Sequence, residues 1–421
     1  MKIFIAMWRK NNRHSLFLCS YMLEFQLLQI AIGAKAASLD SLTASDWWRF
    51  YDFCKRQALL GIGFCVVEEL HEQGICCPKD LMMRWMTAAL QIERRNELLN
   101  EQCRTLTECY EHDGLLCCIL KGQGNLFNYP EAIRNRRMPG DIDLWAVASD
   151  GSISIAVQTE HNKAENIIYR GRKAVVEYVR MQHLLAGNCK PQELRYHHID
   201  APLCAGVTSV EVHFRVGFCR SPLRNRRMQR WFDRHTDECM ENKTATGFSV
   251  PTPSVNIVYQ MTHLFTHYFD EGVGLRQLLD YYYALITWHD EYVKYIKQSV
   301  QETSVHRVLS AEEIHCVLAS FGMARFAAAV MWVLQRVFAM SDTLLICMPD
   351  SKRGKQLLYE IMQAGNFGQY DERGKKLKEK SRAAHAVWKH NRIMRLICNY
   401  PEEALCEPLF RLWHWGWRCM H

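Results

Sequence analysis

The sequence predicts an α+β protein in which a short α/β segment is set between two long helical regions. Three observations carry this. Apolar residues recur at helical spacing up to about residue 115. The period changes at Asp113-Gly114, after which short apolar runs alternate with one helical stretch. Helical periodicity then returns after Ser221. These changes divide the chain into an N-terminal helical region (1–114), an α/β core (115–220) and a C-terminal helical domain (221–421).

Bulk composition agrees. With 421 residues the chain can hold two or three domains, and 48% hydrophobic with 23% charged residues argues for a folded protein. The net charge of +7 suits an anionic substrate such as a nucleotide, although a solvated basic surface explains it equally well. Basic residues are dispersed along the chain, so nucleic acid is not an expected partner. None of the 18 cysteines forms a C-x-x-C pair. The adjacent pairs Cys76-Cys77 and Cys117-Cys118 are poor disulfide partners and lack zinc-site spacing, so most cysteines read as small apolar residues in a reducing cytoplasm. The apolar run Met1-Lys2-Ile3-Phe4-Ile5 is too short for a signal peptide. The stretch from Ser15 to Ala34 carries Glu24, Gln26 and Gln29, so an amphipathic packing helix is expected there and no transmembrane segment.

In the first region Ser45-Asp46 is expected to cap a helix through Trp47, Phe50, Tyr51 and Cys54. Gly74 and Pro78 mark a turn before a long helix from about Asp80 to His112. Its core stripe is expected to carry Met83, Met86, Leu90 and Leu98-Leu99, with Glu93 to Glu97 facing water. In the middle third, Leu115 to Leu120 reads as a buried strand, and Lys121-Gly122-Gln123-Gly124-Asn125 as the start of a short helix. A Pro-containing loop with Arg134, Arg136 and Arg137 leads into a strand from Asp141 to Val147. Glu160 to Leu185 fits a helix, and two strands follow at Leu194 to Asp200 and Val207 to Val216. Farther on, helices are expected from Ser254-Val255, from Leu275, and over Ala311–Val317, Ala324–Phe338 and Lys355–Met362. Gly365-Asn366-Phe367-Gly368 is a turn, and Arg373 to Arg382 a solvated basic face. The aromatic and basic tail, Phe410 to Arg418, is expected to dock on the helical core.

The chemistry gathers in the middle third. On a strand, Asp141 and Asp143 share one face while Ile142 and Leu144 share the other. Two like charges at the mouth of a buried strand call for a cation between them, and a divalent metal holding a phosphate substrate supplies one. Two solvated acids at a strand edge are the plain alternative. The Gly122 turn offers backbone N–H groups to an anion such as a triphosphate. In Val210-Glu211-Val212-His213-Phe214-Arg215-Val216 the acid and the imidazole share a face opposite the apolar side chains. If that strand lies beside the Asp-x-Asp strand, Glu211 becomes the third carboxylate of a two-metal centre. Lys121 and Arg137 are candidates to balance phosphate charge, with structural ion pairing as the alternative. His213 is expected to orient a neighbour by a hydrogen bond.

These residues resemble a known family. Leu120-Lys121-Gly122, Tyr129-Pro130 and Arg137-x-x-Gly140-Asp141-Ile142-Asp143-Leu144-Trp145 are similar to the signature of the uncharacterised bacterial nucleotidyltransferase family, in the DNA polymerase β-like nucleotidyltransferase superfamily. Val210 to Arg215, Gly274-Leu275-Arg276-Gln277-Leu278-Leu279-Asp280 and the Gly365 turn continue the likeness from about residue 45 to the end. The resemblance implies a small mixed-sheet nucleotidyltransferase core flanked by helices. It also implies Mg²⁺ (or Mn²⁺) at Asp141, Asp143 and Glu211, which serve as both metal ligands and catalytic residues. A nucleoside triphosphate would be gripped by Lys121, Gly122, Gln123 and Arg137, and its NMP passed to a small-molecule or protein acceptor that the family leaves open. His263, His267 and Arg276 are candidates to line the acceptor cleft, with a place in the core or in interhelical hydrogen bonds as the slightly favoured alternative. Two departures stand out: the helix start is Gly122-Gln123-Gly124 where the superfamily has Gly-Ser or Gly-Gly, and the Tyr129–Arg137 loop lengthens the approach to the Asp pair. A catalytically inactive nucleotide- or partner-binding module with the same fold is the alternative.

Overall fold

The computed structural model describes residues 17–36, 39, 41–158, 164–187, 194–202, 208–298, 307–372 and 381–420. The expected signal-peptide-free N-terminus and most of the basic run from Arg373 lie outside them. The chain is α+β, with two small sheets among many helices. It gathers into two compact units, each drawn from several stretches. One takes the chain up to Arg94, Asn128–Met138 and Gln260–Leu405. The other takes Arg95–Phe127, Pro139–Tyr259 and the chain from Cys406 on.

The first unit is helical. Its first described helix, Met22–Ala31, buries Leu27, Leu28 and also Glu24 and Gln29. Both polar side chains are partnered: Arg49 Nη2 donates to Glu24 at 2.7 Å, and Gln29 Nε2 donates to the Val337 carbonyl at 3.0 Å. The helix Ala44–Arg56 starts one residue before Ser45: Thr43 is its N-cap, and Asp46 closes a capping box by accepting the Thr43 N–H. Helices Leu275–Gln298, Ala311–Ser320, Ala324–Phe338 and Ser351–Ala364, and Pro253–Asp270, which belongs to this unit from Gln260 on, follow the sequence periodicity to within a few residues.

The long helix spans Lys79–His112, and its buried stripe differs from the expected one. Leu81, Trp85, Ala89, Ile92, Leu99, Cys103 and Tyr110 are buried, whereas Met83, Leu90 and Leu98 are exposed. The stripe follows Trp85, the bulkiest side chain of the helix, which is fully buried and donates its indole N–H to the Leu60 carbonyl at 2.7 Å. Asn96, expected to face water, is buried as well.

The second unit is built on a four-stranded sheet in the order β1-β2-β6-β5, with β1 Leu115–Ile119, β2 Ile142–Ala148, β5 His198–Asp200 and β6 Val210–His213. β1 runs antiparallel to β2, β2 parallel to β6, and β6 antiparallel to β5, so the sheet is mixed. Strand alternation sends Ile119, Ile142, Leu144, Val210, Val212 and Ile199 to one face, where they pack with Val175 and Val179 of the helix Arg172–Leu185. Each fully buried side chain of this size contributes about 1.5–3 kcal/mol. A separate antiparallel hairpin, β3 Ser152–Gln158 with β4 Ala164–Arg170, corrects the sequence reading. The helix expected from Glu160 begins only at Arg172, because Asn166-Ile167-Ile168-Tyr169 is strand and Gly171 turns the backbone at φ +54°.

The tail forms the helix Pro401–Met420, and its docking site differs from the expected helical core. Phe410, Trp413 and Trp417 gather around Tyr196, with Phe410 stacked on Phe218, all within the sheet-bearing unit. Among the described residues no helix is long and apolar enough to cross a membrane.

Candidate active site

The site lies on the face of the sheet opposite the apolar core. Because β2 and β6 are parallel, Asp143 stands directly across from Glu211, and Ile142 across from Val210. The Ile142 N–H donates to the Ser209 carbonyl at 3.0 Å and extends this pairing past the strand ends. On the other side the Leu120 N–H donates to the Asp143 carbonyl at 3.0 Å, which holds the chain leaving β1 against Asp143. Gly122 then turns at φ +62°, and a Cβ there would stand 3.2 Å from the Asp141 carbonyl oxygen. Gly124 is packed more tightly still, since its Cβ would fall 2.3 Å from the Ile119 carbonyl oxygen. Gly122 therefore lets the turn press against the chain at Asp141, and Gly124 lets it pack on the end of β1. The following helix, Gly122–Asn128, is a seven-residue 3₁₀ helix.

Four charged groups meet here. Lys121 Nζ lies 3.1 Å from Asp143 Oδ1, and His213 Nε2 lies 2.9 Å from the same oxygen. Glu211 Oε2 is 3.6 Å from His213 Nε2 and 3.5 Å from His198 Nδ1. Asp143 is fully buried, and its Oδ2 has no hydrogen-bond partner among the described residues. Burial works to raise its pKa, yet Lys121 and the His213 hydrogen bond outweigh that and hold it below the ordinary value. Asp141 moves the other way, pushed up first by the charge of Asp143 and then by burial. Glu211 is held well below its usual range because the hydrogen bond from His213 and the nearby imidazoles override burial. Burial opposes protonation of His213, but its bonds to Asp143 and Glu211 prevail and lift it to about 9. His198 is depressed to about 3 by burial and by the charge of His213. For Lys121, burial is likewise outweighed, here by Asp143, Asp141 and Glu211.

The structure thus brings together Lys121, Gly122, Asp141, Asp143, Glu211 and His213. One ligand atom each from Asp143, Glu211 and His213 lie within 4.8 Å of one another, a spacing that can close on a metal ion. With the unpartnered Asp143 Oδ2 and the neighbouring Asp141, the oxygen-rich donor set fits Mg²⁺ or Mn²⁺. His213 makes the orienting hydrogen bond expected of it.

Two other residues are engaged differently. The Gln123 carboxamide donates to the Asn96 carbonyl at 3.2 Å and to Asn100 Oδ1 at 2.8 Å, so its side-chain nitrogen is already engaged and is not left to hold a phosphate. Arg137 belongs to the helical unit, where it forms a buried two-pronged ion pair with Asp280. A phosphate could claim its guanidinium only by taking it from that carboxylate. His263, His267 and Arg276 also belong to the helical unit. The first two are in ring contact, and Arg276 donates to the Met138 carbonyl at 3.1 Å and lies over Phe367. Sequence reasoning missed His198. The adjacent pair His197-His198 in an expected strand was the available signal. What places it is the antiparallel register, His198 across from His213 and Asp200 across from Glu211, and that register is not local in sequence.

No curated protein and no solved structure matches this chain. One family model does, described as "Uncharacterised nucleotidyltransferase", over residues 43–316. That match takes in the long helix, the whole four-stranded sheet with its carboxylates, and the Gly274-to-Asp280 stretch. The chain belongs to the uncharacterised nucleotidyltransferase family.

Proposed function

We propose that this protein transfers a nucleoside monophosphate from an NTP to an acceptor hydroxyl or phosphate, releasing pyrophosphate, with a divalent metal held by Asp141, Asp143 and Glu211. The observation that carries this reading is the register of β2 against β6, which sets Glu211 beside Asp143 on the sheet face away from the core. A third carboxylate there is costly unless cations are to be gathered. An Asp-x-Asp strand flanked in parallel by a strand with the third acid is also why we place the fold in the DNA polymerase β-like superfamily. When bound, Mg²⁺ or Mn²⁺ would neutralise triphosphate charge and lower the pKa of the attacking hydroxyl. The protein's own groups divide the remaining work. Asp143 is fixed by Lys121 and His213, so its orientation is set before any ligand arrives. Lys121 is placed to exchange its bond with Asp143 for one with a phosphate oxygen. The Gly122 turn holds the backbone against the Asp141 carbonyl, beside the residues that would bind the metal.

The test is NTP-dependent pyrophosphate release and labelled NMP incorporation, screening the four NTPs with Mg²⁺ against a metabolite and protein extract. Asp141→Asn should abolish incorporation, and Asp143→Asn and Glu211→Gln should each lower it by roughly 10²–10³-fold. Full activity in any of them refutes the assignment. A second reading, a catalytically inactive nucleotide- or partner-binding module, draws on the same Lys121 and His213 contacts, which neutralise Asp143 without a metal. Nucleotide binding that is indifferent to all three substitutions and to Mg²⁺ would select it.

A further inference from the structure

Behind the carboxylates lies a second cluster whose chemistry differs. His197, His198 and His213 come from two neighbouring strand segments, and their ring centroids are 4.4, 5.2 and 5.3 Å apart. One ligand nitrogen from each lies within 4.8 Å of the others. His197 Nε2 and His198 Nδ1 are 3.0 Å apart. Two ligands bonded at about 2.0–2.1 Å to one tetrahedral ion stand about 3.4 Å apart, so that pair is already at coordination distance and a small ring rotation brings in the third. His198 and His213 are both buried, and His213 keeps its Nδ1 without a hydrogen-bond partner among the described residues. A buried imidazole nitrogen left in this state needs an explanation.

We propose that His197, His198 and His213 form a transition-metal site, suited to Zn²⁺ or Co²⁺, which adjoins the oxygen-lined Asp141/Asp143 position and shares His213 and Glu211 with that donor set. Imidazoles favour these ions, whereas carboxylates favour Mg²⁺ and Mn²⁺. The surroundings follow the usual pattern for metal-bound histidine, in which a carboxylate stands behind the ring. Asp200 Oδ1 is 3.8 Å from His198 Nε2, and Asp143 Oδ1 is 2.9 Å from His213 Nε2. Glu211 Oε2, 3.5 Å from His198 Nδ1, is the nearby oxygen that can complete the shell. The site stands on its own geometry and does not require that nucleotidyl transfer occurs.

The experiment is a titration of the chelator-stripped full-length protein with Co²⁺, in excess Mg²⁺, followed by visible absorption. One equivalent of Co²⁺ is expected, with the intense bands of a nitrogen-ligated, four-coordinate ion. His197→Gln and His198→Gln should each weaken binding by at least tenfold. Asp200→Ala should weaken it roughly 10–100-fold as a partner of a ligand. Asp141→Asn should leave it unchanged. No Co²⁺ uptake in excess Mg²⁺, affinity untouched by both histidine substitutions, or loss in Asp141→Asn would overturn the proposal. Should a histidine variant fail to fold by circular dichroism, X-ray absorption on the Zn²⁺-loaded wild type decides. Imidazole scattering from at least two rings supports the site, and an all-oxygen shell refutes it.

Discussion

Replacing Arg137 by Met tests whether its guanidinium is structural or reserved for phosphate. Both carboxylate oxygens of Asp280 are occupied. Oδ1 accepts from Arg137 Nε at 2.7 Å and from the Tyr129 hydroxyl at 2.7 Å, and Oδ2 accepts from Arg137 Nη2 at 2.8 Å. The two charged side chains are only 4% and 6% exposed. Arg137→Met keeps the aliphatic stem and removes the charge, leaving Asp280 buried with one neutral donor. Stranding one member of a buried pair costs about 3–5 kcal/mol. At about 2–4 °C per kcal/mol for a unit of this size, Tm should fall by roughly 6–20 °C. Removing both charges at once is often near neutral, so Arg137→Met/Asp280→Leu should recover most of that loss. The Tyr129 hydroxyl then remains unpaired at a cost of about 1–3 kcal/mol, which Tyr129→Phe should return. Thermal unfolding by circular dichroism over this set yields the coupling energy directly. A Tm drop below about 2 °C in Arg137→Met, together with a raised KM for NTP, would refute the structural role and return Arg137 to the nucleotide.

Three further outcomes follow from the site. On the proposed function, loss of one of the three carboxylates should remove several kcal/mol of transition-state stabilisation. Asp143→Asn and Glu211→Gln should therefore lower NMP incorporation by roughly 10²–10³-fold, measured as labelled product with Tm as the folding control. His213, ordinarily near 6.5 and lifted to about 9 here, is charged in the folded state and neutral in the unfolded state between those values. Its contribution to stability is full below about pH 6.5 and lost as pH rises toward 9, so Tm in EDTA should decline across that window and the decline should flatten in His213→Gln. Gly122→Ala forces a side chain into a φ of +62° and 3.2 Å from the Asp141 carbonyl, and should cost about 1–3 kcal/mol of stability while displacing Asp141. Tm and NMP incorporation should fall together, and an unchanged pair of readings would show that the turn does not position the acid.

What could be read in advance depended on how local the determining physics is. The shared face of Asp141 and Asp143, and of Glu211 and His213, follows from a period of two and needs no knowledge of neighbours. That Glu211 stands opposite Asp143 depends on a strand pairing 68 positions apart, and the sequence left it conditional. Arg137 shows the opposite failure. Four residues before Asp141 it looked like part of the site, yet its partner Asp280 is 143 residues away and draws it into the helical unit. The β3–β4 hairpin was missed because Ile167-Ile168-Tyr169 abuts a helix and short apolar runs suit either state. On the long helix two apolar stripes competed, and burial of Trp85 chose between them.

The carboxylate pairing is itself a product of the core. Val210 and Val212 point to the apolar face with Ile142 and Leu144, and each lies across from its β2 counterpart. A slip of β6 by one residue would turn both valines outward and drive Glu211 and His213 into that core. Burying those two groups without Asp143 and Lys121 would cost several kcal/mol, while the valines would forfeit about 1.5–3 kcal/mol each. The alternatives therefore differ by far more than thermal energy, and the register is fixed from the apolar side. The acids are costly neighbours in any single register, yet the core admits only the one in which they meet. Lys121, held by the Leu120 hydrogen bond to β2, and His213, held by β6, then supply the cations that make this register tolerable. A site assembled this way is positioned by the core before it binds anything, as the transfer proposed above would require of its ligands.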